Sequence, residues 1–307
     1  MERNQQEISN KIDIDKVGKI ILIDWGYFLH SSIFAWKVSN RQIAPTYTAM
    51  AMIIASLKRV GVDPDDLMIL CVDGRNNWRK SIDPAYKGNR KDKKDQDDFS
   101  WQEMYDLFDS LLEELRESSP FQQIKIDRLE ADDIIAVTCQ RYKEKKCIII
   151  SVDSDFDQLY AYPNVRMYSP KRKAYKTVDN PYAILASKIK KESTDNLVTE
   201  IVTDEDYQRR KMIVNLIELP DFVKKLVVDR LDNLVYNDYD LKKLPFGKSF
   251  KKRFMEIYNS NCIVDINKEP KSKVKRKTKK CTQSKEKASK VTCLNLLTIS
   301  KSQHGSS

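Results

Sequence analysis

Between Leu129 and Leu159 the chain reads Leu-Glu-Ala-Asp-Asp-Ile-Ile-Ala-Val, then a basic connector, then Cys-Ile-Ile-Ile-Ser-Val-Asp-Ser-Asp-Phe-Asp-Gln-Leu. Six carboxylates, Glu130, Asp132, Asp133, Asp153, Asp155 and Asp157, stand in the two segments on either side of the connector, held by apolar runs. A solvated acidic face would be interrupted by lysines and would not be tethered to a buried strand. Carboxylates are hard oxygen ligands suited to Mg²⁺ or Mn²⁺. Left alone in one cleft they repel and raise one another's pKa values, and divalent cations remove that conflict. Two such ions about 4 Å apart can activate water, align an in-line attack on phosphorus and stabilise the leaving oxygen. The expected chemistry is metal-assisted hydrolysis of a phosphodiester. Glu130 and Asp133 are neighbours on one helix face at i, i+3, and Asp132 joins them only from the first turn.

A second constellation is basic. Arg75, Arg79, Lys80, Lys87, Arg90, Lys91, Lys93 and Lys94 surround Trp78 and Tyr86. Cations interleaved with aromatics suit a phosphate backbone with stacked bases, although Lys93 and Lys94 read better as a solvated loop. Lys87 or Arg90 could neutralise a scissile phosphate, Arg with two parallel hydrogen bonds.

The elements that must position these groups alternate. Short β-branched runs at Lys19–Ile23, Leu67–Val72 and Lys146–Val152 predict strands, each followed directly by an aspartate: Asp24, Asp73 and Asp153. A shorter strand is expected at Gln122–Ile126. Helical spacing marks Tyr27–Trp36, Thr46–Val60, Trp101–Leu115 and Glu130 to about Tyr142. The pattern predicts an α/β fold with a mostly parallel central sheet covered by helices on both faces. One aspartate after a strand is common turn chemistry. Three of three point to a shared acidic site at the C-terminal sheet edge, where ligands bind in such folds. Beyond Asn164–Pro170 the signal is helical, with helices expected at Pro181–Lys191, Asp206–Glu218, Asp221–Leu234 and Phe246–Tyr258.

The 307 residues are 41% hydrophobic and 33% charged, a globular balance. Only 7 glycines and no G-x-x-x-x-G-K-[ST] or G-x-G-x-x-G argue against a glycine-rich phosphate loop. Two histidines nearly exclude His-based catalysis, and the scattered cysteines form no C-x-x-C pair. No apolar run approaches the roughly 18–20 residues of a membrane span, and the N-terminal residues lack a secretory core. A soluble, cytoplasmic protein is expected. The net charge of +10 is concentrated: residues 268–290 carry 11 Lys/Arg against 2 Glu, and Lys301 adds one more. Of totals of 55 basic and 45 acidic residues, residues 1–267 therefore hold 43 of each. A neutral body with segregated charge suits metal cations beside a polyanion, and the Lys-rich end reads as a disordered basic tail.

Taken in order, Ile23-Asp24, Cys71-Val-Asp73, Tyr86-Lys-Gly-Asn-Arg90-Lys91, Glu130-Ala-Asp-Asp133 and Ser151-x-Asp153-x-Asp155-x-x-Gln158-Leu159 resemble the motifs of the 5′-nuclease (flap endonuclease) superfamily, most of all its T-even-type phage ribonuclease H branch. The resemblance covers roughly residues 19–265. It implies a PIN-like catalytic core over residues 19–178 with a helical arch near 75–100. A shortened helix–three-turn–helix region over 179–267 would bind DNA, between a flexible N-terminus (1–18) and the tail (268–307). It also implies a hydrolase that trims RNA primers or flaps from 5′ ends during DNA replication, with two Mg²⁺ ions that Mn²⁺ can replace. Asp24, Asp73, Glu130 and Asp132 would hold the first ion with Asp133 beside it, and Asp153 and Asp155 would face the second. Lys87 and Arg90 would contact the scissile phosphate, Tyr86 would stack, and Arg79, Lys80 and Lys91 would help bind substrate. Asp157 falls outside the pattern and is expected to cap the following helix. Where the family has Gly-Asp-x-x-Asp, this sequence has Lys191-Glu192-Ser-Thr-Asp195. Glu192 and Asp195 are then altered second-site ligands. DNA and RNA–DNA hybrids are the implied partners of a monomer, with a single-stranded-DNA-binding protein or sliding clamp as candidate replisome contacts and no membrane. The rival readings are a structure-selective nucleic-acid-binding protein with impaired catalysis, and a PIN-type ribonuclease, which lacks the arch segment.

Overall fold

The computed structural model describes residues 11–88, 90, 94–190, 201 and 203–259, all within the compact unit 1–264. Lys91, Lys93, Glu192, Asp195 and the tail from 268 lie outside the described residues.

Strand β1 (Lys19–Asp24) is the centre of a six-stranded sheet in the order β3-β2-β1-β4-β5-β6. Its neighbours β2 (Leu67–Val72) and β4 (Lys146–Ile150) both pair with it in parallel. β3 (Gln122–Lys125) and β5 (Val165–Ser169) extend the parallel sheet outward, and the two-residue β6 (Ala174–Tyr175) closes it antiparallel. Successive side chains of a strand point to opposite faces, and the apolar runs serve both. Ile21, Ile23, Met68, Leu70, Ile148 and Ile150 pack under helices α1 (Trp25–Val38), α2 (Pro45–Val60), α4 (Trp101–Ser118) and α9 (Lys248–Asn259). Ile20, Leu22, Ile69, Cys71, Cys147 and Ile149 pack under α5 (Ala131–Arg141) and α8 (Asp221–Leu231). Each buried aliphatic side chain contributes about 2 kcal/mol, so burial on both faces fixes the register of the acids that end the strands.

Several boundaries differ from the sequence reading. β4 stops at Ile150 rather than Val152; Ser151 N still donates to Tyr168 O at 3.3 Å, and its side chain turns to Asp24. β5 was not anticipated; the exposed Arg166 interrupts its apolar pattern. The helix expected from Asp206 to Glu218 is α7 (Asp204–Val214). It ends early because Asn215 Oδ1 accepts from the amides of Ile217 and Glu218 at 2.9 and 3.1 Å, turning the chain. Helix α3 (Arg79–Ile82) is a single turn, and α6 (Pro181–Lys190) follows the sheet.

The loop after β2 is zipped to the loop before α5. Gly74 N donates to Leu129 O at 2.8 Å, and Trp78 N donates to Arg128 O at 2.9 Å. A Cβ on Gly74 would stand 1.9 Å from Ile126 O and 2.7 Å from Ile126 C. Backbone cannot yield to that extent without separating Asp73 from Ala131. Gly74→Ala is therefore expected to destabilise the protein by about 2–3 kcal/mol, read as a lowered urea midpoint; an unchanged midpoint would contradict this packing.

Candidate active site

Asp24 ends β1 and Asp73 follows β2, so the parallel register sets both at the C-terminal sheet edge. Asp24 Oδ1 and Asp73 Oδ2 lie 3.5 and 3.7 Å from the point that a Cβ on Gly26 would occupy, so both carboxylates face one small space. Ser151 Oγ donates to Asp24 Oδ2 at 2.6 Å and accepts from Asp153 N at 3.1 Å. That hydroxyl draws the loop after β4 onto the end of β1. Ala131 N, at the start of α5, donates to Asp73 Oδ1 at 2.8 Å. Asp132 then falls in the first turn of α5, where the sequence argument required it. Asp24 is buried, Asp132 half-buried, and Asp73 and Asp153 open to solvent. Asp24, Asp73, Asp132 and Asp153 thus line one cleft.

Their electrostatics show burial first and repulsion between neighbouring acids second. Asp24 is pushed up to about 6, first by burial and then by the charges of Asp73 and Asp153, against the Ser151 bond. Asp132 rises well above the carboxylate range, through burial and then Asp153, Glu130 and Asp24, with Lys87 opposing. Asp73 reaches solvent yet is walled by the cleft; that desolvation raises it, and Glu130 adds to the effect.

Glu130 and Asp133 belong to a different arrangement. Arg79, 2% exposed, donates from Nη1 and Nη2 to Asp133 at 3.0 and 2.7 Å, from Nη1 to Glu130 Oε2 at 3.2 Å, and from Nε to Ile213 O at 2.8 Å. Trp78 Nε1 donates to Asp133 Oδ2 at 3.0 Å, and Glu130 N donates to the same oxygen at 3.0 Å. Tyr86 Oη donates to Glu130 Oε2 at 2.9 Å, and Lys87 Nζ donates to Oε1 at 2.5 Å. Burial alone would raise Glu130, but Lys87, Arg79 and Tyr86 outweigh it and bring it down to about 2. Lys87 reaches this position from a left-handed backbone, φ 55°, which a non-glycine residue adopts at a cost of order 1–3 kcal/mol.

Three expectations change accordingly. Asp133 is wholly buried and saturated by donors, so it is an anchor and not a group beside a metal ion. Arg79 and Tyr86 are buried in that anchor, which removes them from direct substrate contact. Asp157 does not cap a helix: Ser154 holds the cap position of the 3-10 turn Asp155–Ala161, and Asp157 pairs with Lys176. Asp155 pairs with Lys188 of α6. Lys80 and Arg90 are exposed. The sequence reading gave no role to Ser151, which lay inside a quoted motif, nor to Trp78 as a donor. Lys188 carried no local signal.

Among the described residues, no three acidic, His or Cys side chains form a ready-made metal cage. The donor set still fits a hard dication. Its members are carboxylates alone, their mutual repulsion is what such an ion relieves, and Mg²⁺ characteristically keeps several waters and takes only one or two carboxylates.

The comparisons with known proteins agree with this fold. The family model "5′-3′ exonuclease, N-terminal resolvase-like domain" matches residues 19–194, more than half of the chain. The chain belongs to this family of nucleases. Ribonuclease H of Enterobacteria phage T4 is 26% identical over 226 residues, 60% of this chain and 73% of that protein. The T5 5′-exonuclease with bound zinc superposes with a TM-score of 0.52 at 17% identity, over 78% of this chain and 98% of that one. The T5 D15 protein co-crystallised with metal ions gives 0.50 at 16% identity, over 78% and 99%. No helix among the described residues is long and apolar enough to cross a membrane.

Two outcomes follow from the site. Arg79→Met leaves Asp133 charged, buried and unpaired, and is expected to cost roughly 3–5 kcal/mol of unfolding free energy; a urea curve within error of the wild type would contradict the anchor. The second concerns pH in the metal-free protein. Asp24, raised from 3.8 to about 6, binds its proton more tightly when folded, so stability falls as pH rises through that window. Glu130, lowered from 4.5 to about 2, contributes stability that is lost as pH falls through that range. A urea midpoint measured against pH should peak where the two windows overlap, between 3.8 and 4.5, and decline toward neutrality, and Mg²⁺ should restore it at pH 7.

Proposed function

We propose that this chain is a divalent-metal-dependent 5′→3′ nuclease that hydrolyses phosphodiesters at the 5′ ends of RNA–DNA hybrids, duplexes or flaps, as in RNA primer removal during DNA replication. The observation that carries the reading is the gathering of Asp24, Asp73, Asp132 and Asp153 at one sheet edge, where burial raises each carboxyl and neighbouring acids add to it. Asp73 and Asp153 act at Asp24, Asp153 and Asp24 at Asp132, Glu130 at Asp73 and Asp155 at Asp153. Asp24, Asp73, Asp132 and Asp153 are the residues assigned to hold the ion. A bound Mg²⁺ or Mn²⁺ supplies a lowered pKa for an attacking water and Lewis acidity at phosphorus.

The protein's own groups do the positioning. Ser151 keeps Asp24 aimed into the cleft, and Ala131 N fixes Asp73. The anchor of Arg79, Asp133 and Trp78 holds the base of the arch segment against α5 and α7. Lys87, stored on Glu130, is felt at Asp73 and Asp132 and is assigned to the scissile phosphate together with Arg90, whose charge is also felt at Asp73. In this reading Glu130 sets the position of Lys87, a second duty beside its expected one as an ion ligand. Exposed Lys80 and, from the sequence alone, Lys91 extend the phosphate track. Residues 19–178 would carry the chemistry and 179–267 the grip on the duplex.

The test is cleavage of 5′-labelled RNA–DNA hybrid and flap substrates by Asp132→Asn. Loss of the interaction is expected to lower the rate by a factor of at least about 10². Because Asp132 is repelled by its neighbours, the same change is expected to raise the melting temperature of the metal-free protein. Wild-type cleavage by Asp132→Asn, or activity undiminished in EDTA, would remove the assignment. Metal-independent binding of these substrates without turnover would favour a structure-selective binding protein instead.

A further inference from the structure

The second half of the acidic stretch is answered from within the chain. Lys188 lies in the last turn of α6, and its ammonium donates to Asp155 and, at 3.2 Å, to Ser154 Oγ. Both partners are largely withdrawn from water, with side chains 21% and 20% exposed. This is not a free surface lysine. Its neighbour Ile189 is 2% exposed, and Ile189 O accepts from the buried Arg210 Nη1 at 3.3 Å. The turn that carries Lys188 is therefore held from both sides, with α6 packed along the 3-10 turn that begins at Asp155. A few residues on, Lys176 meets Asp157 in the same way, with both side chains 13% exposed. Lys188 also faces Asp153, whose charge it favours.

We propose that Lys188 is a built-in cation that occupies, on Asp155, the place of a second divalent ion, so that the acidic cleft of this protein binds a single ion. The inference rests on the metal-dependent reading above and refines it. An ammonium seated on Asp155 neutralises that carboxylate and repels a dication brought to the same group, which weakens a second ion site there. The sequence itself departs from the family pattern just after Lys190: Lys191 and Glu192 stand where Gly and Asp are expected. A protein cation that already neutralises Asp155 removes the demand for that ligand. The division then runs through the motif itself, with Asp153 turned to the ion shared with Asp24, Asp73 and Asp132, and Asp155 turned to Lys188.

The experiment counts Mn²⁺ bound per chain, with the metal alone and no nucleic acid, from the free-Mn²⁺ electron paramagnetic resonance signal during titration. Wild type is expected to bind one ion. Lys188→Met and Lys188→Gln, each checked for an intact melting transition, are expected to gain a second, and Lys188→Arg is expected to keep one. A purely structural role for Lys188 would not move this stoichiometry. Two ions in the wild type, or no gain in either neutral variant, would overturn the inference while leaving the metal-dependent nuclease standing. No bound ion in the wild type would overturn that reading and the inference with it. Asp132→Asn distinguishes the sites, since it is expected to lose the first ion and leave the effect of Lys188→Met on the second.

Discussion

Like charges gathered at one sheet edge in a partly dry cleft are tolerable only where cations answer them, and the structure is arranged around how that demand is met. Part of it is met internally. Asp133 and Glu130 share Arg79, Lys87 takes the other oxygen of Glu130, and Lys188 and Lys176 take Asp155 and Asp157. The rest is not. Asp24, Asp73 and Asp132 have hydroxyl, amide or no described donors, and they are raised where Glu130 is lowered. Neighbouring carboxylates thus differ by whether a cation of the chain reaches them.

The internal part also explains how the segment from Arg79 to Lys87 is kept in place. Arg79 is a poor choice for stability taken alone, since burying a guanidinium costs several kcal/mol before its partners are counted. Its fork returns that cost by joining three pieces of chain that have no covalent reason to meet: the single turn α3, the start of α5 and the end of α7 at Ile213. Lys87 follows seven residues of tightly hydrogen-bonded turn later, in a left-handed conformation that the surrounding bonds hold. A cation stored beside the acids, rather than free in solvent, is the arrangement expected of a group that must meet a phosphate at the same place.

Much of this was legible before any coordinates. The β-branched runs ending in Asp24 and Asp73 placed those acids on one edge because a parallel sheet buried on both faces leaves no other register. The Glu-Ala-Asp-Asp spacing let Asp132 join its neighbours only from a first turn, and that is where it lies. What sequence spacing could not resolve was which carboxylate finds a cation. Asp133 looks like its neighbours in a string of letters, but one residue of helical rotation turns it from the cleft to the buried Arg79. Lys188 and Asp155 are far apart in sequence and meet only because α6 packs on the turn after β4. Arg79 itself read as a substrate contact, since nothing local marks an arginine for burial. Strand β5 was missed for a similar reason, its alternation broken by Arg166, whose aliphatic stem and exposed head suit a strand near the sheet's edge.

The central claim is that the cleft between Asp24, Asp73 and Asp132 is the seat of a divalent cation. Crystals grown with Mn²⁺ and measured near the manganese absorption edge test it most directly. The expected result is an anomalous difference peak bounded by those three carboxylates and Asp153, with Arg79 still seated on Asp133. A map in which these carboxylates surround no peak, or in which the strongest site lies on Asp133, would contradict it.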